Sequence, residues 1–232
     1  MKGMILAAGK GTRLQPMTEI MPKALIDING TNLLKRAILK FKRADIDDII
    51  INVHHFADQI EQFLHEHDFG VNIYISDERD YLRGTGGAIK HARPYLDGDE
   101  PFFVYNVDVI SNINLMDLLY LDQMSTALAV IAVRKRDTAR QLCFNDYQHL
   151  LGWKNVETGE SKGLEGHCYA FSGIQLIHPE FFNMMPKKDS FSIIDLYLDI
   201  AKQHTILAYD HSDGEWMDVG TPERLKKAVS LY

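Results

Sequence analysis

Short apolar runs alternating with amphipathic stretches constrain this chain more than any other feature. Lys2–Ala8 is apolar and stops at Gly9, as a buried parallel strand does. Asn32–Arg43 places Leu33, Leu34, Ala37, Ile38 and Phe41 on one helical face, with Lys and Arg opposite. Asp48–Val53 reads as the next strand, Asp58–His67 as a helix with Ile60, Phe63 and Leu64 inward, and Val71–Ile75 as a third strand. A helix over Thr85–Ala92, a strand over Phe102–Val107, a short helix over Met116–Leu121 and a strand over Thr126–Val133 continue the alternation. This spacing predicts right-handed crossovers and an α/β fold of three layers, α/β/α, around a mainly parallel central sheet. Residues 134–168 carry turn pairs and polar segments, which predict a small irregular insertion, either hairpins or a lid over a cleft. The pattern resumes with Tyr169–Ile177, a helix over Ile193–Gln203, the strand Thr205–Tyr209 and a closing helix from Pro222, for which Thr221 is the expected cap. One domain is expected over residues 1–232.

Composition narrows the partners. The 25 Lys plus Arg stand against 32 Asp plus Glu, a net charge of −7, which argues against broad binding to nucleic acid or an anionic membrane. A local basic pocket for a phosphorylated small molecule is compatible with that balance. No apolar run reaches the roughly 20 residues needed to span a bilayer, and MKGMILAAGKG does not read as a secretory leader. Cys143 and Cys168, the 2 cysteines, are too few for a disulfide framework and fit a reducing, cytoplasmic setting. Among the 10 histidines, His54 and His55 diverge beyond a strand, and His65 and His67 point apart on a helix. With no HExxH or CxxC spacing, zinc chemistry is not expected. Ser172 lacks a G-x-S-x-G elbow.

Chemistry-bearing residues gather at strand ends. The first strand runs into Leu6-Ala7-Ala8-Gly9-Lys10-Gly11-Thr12-Arg13-Leu14, where small residues and two glycines let backbone N–H groups face an anion. Neither a dinucleotide fingerprint nor a P-loop fits: Leu14 stands where a third glycine belongs, and Lys10 precedes Gly11. The turn therefore reads either as an ordinary tight βα connection or as a phosphate cradle. Arg13 and Lys23, the latter stiffened by Pro22, favour the cradle, because a guanidinium fork and a point charge both suit phosphate oxygens. Asp108 follows the strand FFVYNV, and Asp218 lies in WMDVGTP before the last helix. Magnesium takes one or two carboxylates with phosphate oxygens and water, so this pair suits it. Taken singly, Asp108 also reads as a turn residue and Asp218 as a helix-preceding carboxylate. Arg83-Gly84-Thr85-Gly86-Gly87-Ala88 opens a helix with three glycines, reading as a flexible turn or a close seat for a flat base.

The run LAAGKGTRLQPMT (Leu6–Thr18) with Pro22-Lys23 resembles the opening of the sugar-1-phosphate nucleotidyltransferases, L-A-A-G-x-G-T-R-L-x-P-x-T followed by P-K. WMDVGTP is similar to that family's W-x-D-[VI]-G-T-P, GTGGA to its glycine-rich base loop, and Phe171-Ser172-Gly173-Ile174 to its [FY]-x-G-I strand. Asn106-Val107-Asp108 keeps the Asn and Asp of N-G-D but has Val107 in place of the glycine. The resemblance covers nearly the whole chain, is weakest over residues 134–165, and is greatest to short members acting on N-acetylmuramate 1-phosphate or mannose 1-phosphate.

It implies a Rossmann-like nucleotidyltransferase domain. With no hexapeptide repeats in this sequence, a C-terminal β-helix is not expected. It also implies Mg²⁺-dependent transfer of a nucleotidyl group from an NTP, UTP or GTP, to a sugar 1-phosphate, with release of pyrophosphate. Arg13 would then bear on the leaving pyrophosphate and Lys23 on the sugar phosphate. Leu6, Ala7, Ala8, Gly9, Gly11, Thr12, Gly84 and Thr85 would hold the nucleotide. Arg79 stands where many members carry a base-reading glutamine, which leaves guanine open beside uracil. Asn106, Gly173 and Glu160 would face the sugar, and Asp108 and Asp218 would hold Mg²⁺. A cytidylyltransferase acting on a non-sugar phosphate and a non-catalytic nucleotide sensor are the alternatives.

Overall fold

A computed structural model describes residues 1–232. The chain opens with β1 (Lys2–Leu6), then a small hairpin of β2 (Asp27–Ile28) and β3 (Thr31–Asn32), and α1 (Leu33–Lys42). Asn32 caps α1 by accepting from Lys35 N at 2.8 Å, and the five apolar residues expected on its inner face are all buried. Next come β4 (Asp48–Val53), α2 (Ala57–Glu66), β5 (Asn72–Asp77), α3 (Gly84–His91), α4 (Arg93–Leu96), β6 (Phe102–Asn106) and β7 (Val109–Ser111). The second half holds α5 (Leu115–Gln123), β8 (Ala129–Arg134), β9 (Arg140–Phe144), β10 (Leu150–Asn155), β11 (Ser161–Gly163) and β12 (His167–Ile177). It closes with α6 (Ile193–Ile200), β13 (Ile206–Asp210), β14 (Trp216–Asp218) and α7 (Pro222–Leu231). Pro222 sits in the first turn of α7, and Thr221 accepts from Arg224 N as its cap.

The central sheet runs β5-β4-β1-β6-β12, with β8 and then β13 beyond. Its pairs are parallel except where β12 meets β6 and β8. Residue alternation along each strand divides the core into two faces. Ile5, Ile49, Ile51, Phe103 and Tyr105 pack with α1, α2 and α5, whereas Met4, Ile50, Phe102 and Val104 pack with α3 and α6. The expected three layers follow from that period of two. No helix is long and apolar enough to cross a membrane.

Of the two readings of residues 134–168, hairpins fit and a lid over the cleft does not: β9, β10 and β11 form an antiparallel ribbon on the first residues of β12, and none of the ribbon lines the cleft described below. Its strands are short and partly polar, so their pairing is set by neighbours rather than by an apolar period. Cys143 and Cys168, read as unpaired, are joined by a disulfide. They face each other directly across β9 and β12, with Cα atoms 4.1 Å apart.

Beneath β12 and β13, His211 Nε2 lies 2.7 Å from Ser172 Oγ, and both residues are buried. Burial, and then the Arg134 charge, push the imidazole pKa down from 6.5 to about 4. The native chain thus refuses a proton that the unfolded chain binds below pH 6.5, so stability is full above that pH and falls toward pH 4. The whole loss is on the order of 3 kcal/mol. Urea unfolding at pH 7, 5.5 and 4.5 is expected to show this decline, and His211→Gln to flatten it.

Candidate active site

Strand order reverses at β1: β4 lies on one side and β6 on the other, although β6 follows later in the chain. The carboxyl ends of strands at such a reversal splay apart and leave a crevice. A cleft of about 360 Å³ sits there, lined by Leu6–Gly9, Gly11–Arg13, Lys23, Gly84, Thr85, Asn106 and Asp108. A larger groove of about 550 Å³ lies beside α3, but its Arg83, Lys90 and Arg93 are already held by Asp80, Asp189 and Asp97. Only the cleft at the reversal combines an amide-lined turn with converging cations and carboxylates.

The turn after β1 folds back on itself. Gly11 O accepts from Leu14 N at 2.8 Å and from Thr18 Oγ1 at 2.9 Å. Lys23, presented by Pro22 at the start of a 3-10 turn, is buried, and its Nζ donates to Asp108 Oδ2 at 2.5 Å. Asp218 reaches the same place through the ribbon of β7 and β14, in which it pairs with Val109. Val219 N donates to Asp108 O at 2.8 Å, which ties the two aspartate segments together.

Gly220 completes the join. A Cβ built on it would lie 2.8 Å from Asp218 Oδ1 and 3.0 Å from Arg13 Nη2, so a side chain there would push the carboxylate and the guanidinium apart. Arg13, Lys23 and Asp108 therefore line one end of the cleft, and Asp218, which does not line it, lies behind Gly220, which does. Asp218 Oδ2 accepts from Arg224, while its Oδ1 is buried with no hydrogen-bond partner. An orphaned carboxylate oxygen beside a second aspartate fits Mg²⁺, which needs few protein ligands. No group of three or more His, Cys, Asp or Glu residues forms an all-protein cage.

Asn52 and Glu78 were missed. Asn52 Oδ1 accepts from Ala7 N at 2.7 Å and Ala8 N at 3.3 Å, and its Nδ2 donates to Glu78 Oε1 at 2.7 Å. The other Glu78 oxygen accepts from Arg83 N at 3.1 Å. This buried relay locks the β1 turn to the loop that begins α3, two segments that both line the cleft. A polar residue interrupting DIIINV was the available signal for Asn52; Glu78 offered none. Asn52→Ala leaves two backbone donors and one Glu78 carboxylate oxygen unpaired, so a loss of about 2 kcal/mol is expected in chemical denaturation.

Two expected site residues lie elsewhere. Arg79 is ion-paired to Asp58, Glu61 and Asp77 on an exposed surface and does not line the cleft. Carboxylates from α2 and the end of β5 hold its side chain outside the cleft. Glu160 is exposed in the β10–β11 connection, where its carbonyl accepts from Asn155 N, and the nearby Lys162 pairs with Asp195 on α6. Gly173 does not line the cleft but packs against Asn106, which does. At φ +76° and with a Cβ position 2.7 Å from Asn106 Nδ2, it brings β12 against the cleft wall. Val107 is buried and avoids positive φ, so the missing glycine strains nothing here.

A cleft at the reversal point of a parallel sheet defines the class of doubly wound α/β proteins that hold phosphorylated ligands at strand ends. Within that class, residues 2–142 match the nucleotidyl transferase family, and the chain belongs to it. It is 32% identical over 239 residues to an N-acetylmuramate alpha-1-phosphate uridylyltransferase of Neisseria meningitidis, covering 100% of this chain and 98% of the relative. A mannose-1-phosphate guanyltransferase of Yarrowia lipolytica is 28% identical over 236 residues, and the chain spans 64% of its length. In fold it is similar to HddC of Yersinia pseudotuberculosis, solved with GMP-PN, at a TM-score of 0.78 and 24% identity over 99% of this chain and 98% of that one. The inositol-1-phosphate CTP transferase of T. maritima matches at 0.80 with 14% identity, over 99% and 94% of the two chains.

Proposed function

We propose that this chain transfers a nucleotidyl group from a nucleoside triphosphate, UTP or GTP, to a hexose 1-phosphate, N-acetylmuramate 1-phosphate or mannose 1-phosphate. The single observation that carries the reading is that Arg13, Lys23 and Asp108 line one end of an amide-lined cleft, with Asp218 directly behind Gly220 at that end. Whole-length similarity to the uridylyltransferase of Neisseria meningitidis supports the substrate class.

An ionised oxygen of the sugar phosphate attacks the α-phosphorus, and the bond from that phosphorus to the bridging β-oxygen breaks as pyrophosphate leaves. No general base is required, because the attacking group is already an anion at neutral pH. The residues position and neutralise. With the Ala7 and Ala8 amides held by Asn52, the backbone of Gly9 and of Gly84–Thr85 meets the nucleotide, Arg13 meets the departing phosphates, and Lys23 meets the attacking one. Asp108 and Asp218 would hold Mg²⁺, which when bound supplies charge neutralisation to the phosphate oxygens. A grid of UTP, GTP, CTP and dTTP against phosphorylated sugars and non-sugar phosphates, scored by pyrophosphate release with and without Mg²⁺, tests the reading. Release with one sugar phosphate supports it; nucleotide binding without release under any pairing overturns it.

A further inference from the structure

A cationic corner lies beyond Asp218. Trp216, two residues before it on β14, has two guanidiniums over its ring: Arg136 at 4.6 Å from the centroid and Arg134 at 5.8 Å. The indole N–H donates to Ser172 O at 2.9 Å, and Arg136 Nη2 donates to Phe171 O at 3.4 Å. Those carbonyls directly precede Gly173, which abuts Asn106 on the cleft wall. The corner thus adjoins the cleft on its β12 side, next to the carboxylate of Asp218.

The other cations nearby have partners. Arg224 pairs with Asp218, Lys23 with Asp108, and Arg134 donates to Gly214 O and Ser212 O. Arg136 makes no ion pair, and its Nε is buried without an acceptor. Arg134 lies beside Arg136 over the Trp216 ring, and the Asp218 carboxylate next to this corner is already paired with Arg224. A half-buried cation without a counter-charge and a donor without an acceptor are both satisfied by a dianion.

Resting on the nucleotidyl-transfer reading, we infer that Arg136 receives the phosphate of the acceptor, a phosphate monoester, with Trp216 setting the plane of its guanidinium. Lys23, held by Asp108, then faces the reacting oxygen while Arg136 anchors the rest of the acceptor phosphate. Arg136 is the one member of the corner left free to do so.

The test is a ³¹P NMR titration of the full chain with mannose 1-phosphate, inorganic phosphate, UTP and GTP, the first two also in the presence of a saturating non-hydrolysable triphosphate. Arg136→Ala is expected to raise the Kd of mannose 1-phosphate and of inorganic phosphate tenfold or more while leaving triphosphate Kd values within twofold. Arg136→Lys, which keeps the stem on Trp216 and the charge, is expected to be intermediate with an unchanged near-UV circular dichroism spectrum; it serves as the test if the alanine variant does not fold. In turnover, KM for the sugar phosphate rises and KM for the triphosphate does not. Unchanged monoester affinity in these variants overturns the inference, as does an equal loss for monoester and triphosphate, which would place the donor's phosphates at Arg136. Failure of the nucleotidyl-transfer reading looks different: the wild-type chain would bind monoesters through Arg136 yet release no pyrophosphate with any of them.

Discussion

Replacing Lys23 by alanine is expected to lower kcat about 10²- to 10³-fold, the effect of removing one preorganised charge from a transition state, while the chain still folds. Lys23 has only 10% of its side chain exposed and donates to Asp108 at 2.5 Å, so two consequences separate. Loss of the cation removes stabilisation of the phosphates. Loss of the ion pair leaves Asp108 a free carboxylate, which raises its attraction for a divalent cation. The Mg²⁺ concentration for half-maximal activity is therefore expected to fall or hold steady even as kcat collapses. Steady-state kinetics over a Mg²⁺ series, with thermal unfolding as the fold control, decides it. A kcat within fivefold of wild type would remove Lys23 from the reaction.

Asp218→Asn is expected to cost turnover on a similar scale, about 10²- to 10³-fold, but with the opposite metal signature. The amide keeps the shape beside Gly220 and loses the charge that the buried, unpartnered Oδ1 carries. Its Mg²⁺ requirement should rise. The carboxylate also sits among Arg13, Arg136 and Arg224, so its removal strengthens the positive field on a polyanion. Triphosphate binding without Mg²⁺ is expected to tighten while kcat falls, a pairing that simple unfolding cannot produce. Arg224→Ala provides the contrast, since it frees Asp218 without removing its charge and should cost less than about tenfold, the scale of a partly exposed ion pair. Equal losses in Asp218→Asn and Arg224→Ala would show that the ion pair, not the metal-facing oxygen, is what matters.

Part of the site was legible in the amino-acid sequence because strand ends are. An apolar run that stops at a polar residue marks the carboxyl edge of a buried strand, and Leu6–Gly9 and Asp108 follow from that rule. Asp218 was marked by the resemblance of WMDVGTP to the family's motif, since its place before α7 by itself also reads as a helix-preceding carboxylate. Arg79 failed because a spacing of five residues before a glycine says nothing about where a long side chain turns. Asp58 and Glu61, some twenty residues earlier, decided its direction. Glu160 failed similarly, since the ribbon of β9, β10 and β11 carries it away on pairings no apolar period reveals.

Read alone, the sequence determined the layered α/β order, the glycine-rich turn after β1, and which strand ends carry carboxylates. Each depends on residues within a few positions of one another, where backbone preference and burial period act directly. Only the tertiary structure decided how Asn52 and Glu78 join two loops, how Gly220 seats Arg13 against Asp218, why Arg136 is left without a counter-charge, and that Cys143 meets Cys168. Those are choices of partner between segments distant in the chain, and a side chain's partner is set by which neighbours the fold delivers within about 3 Å, not by its place in the sequence.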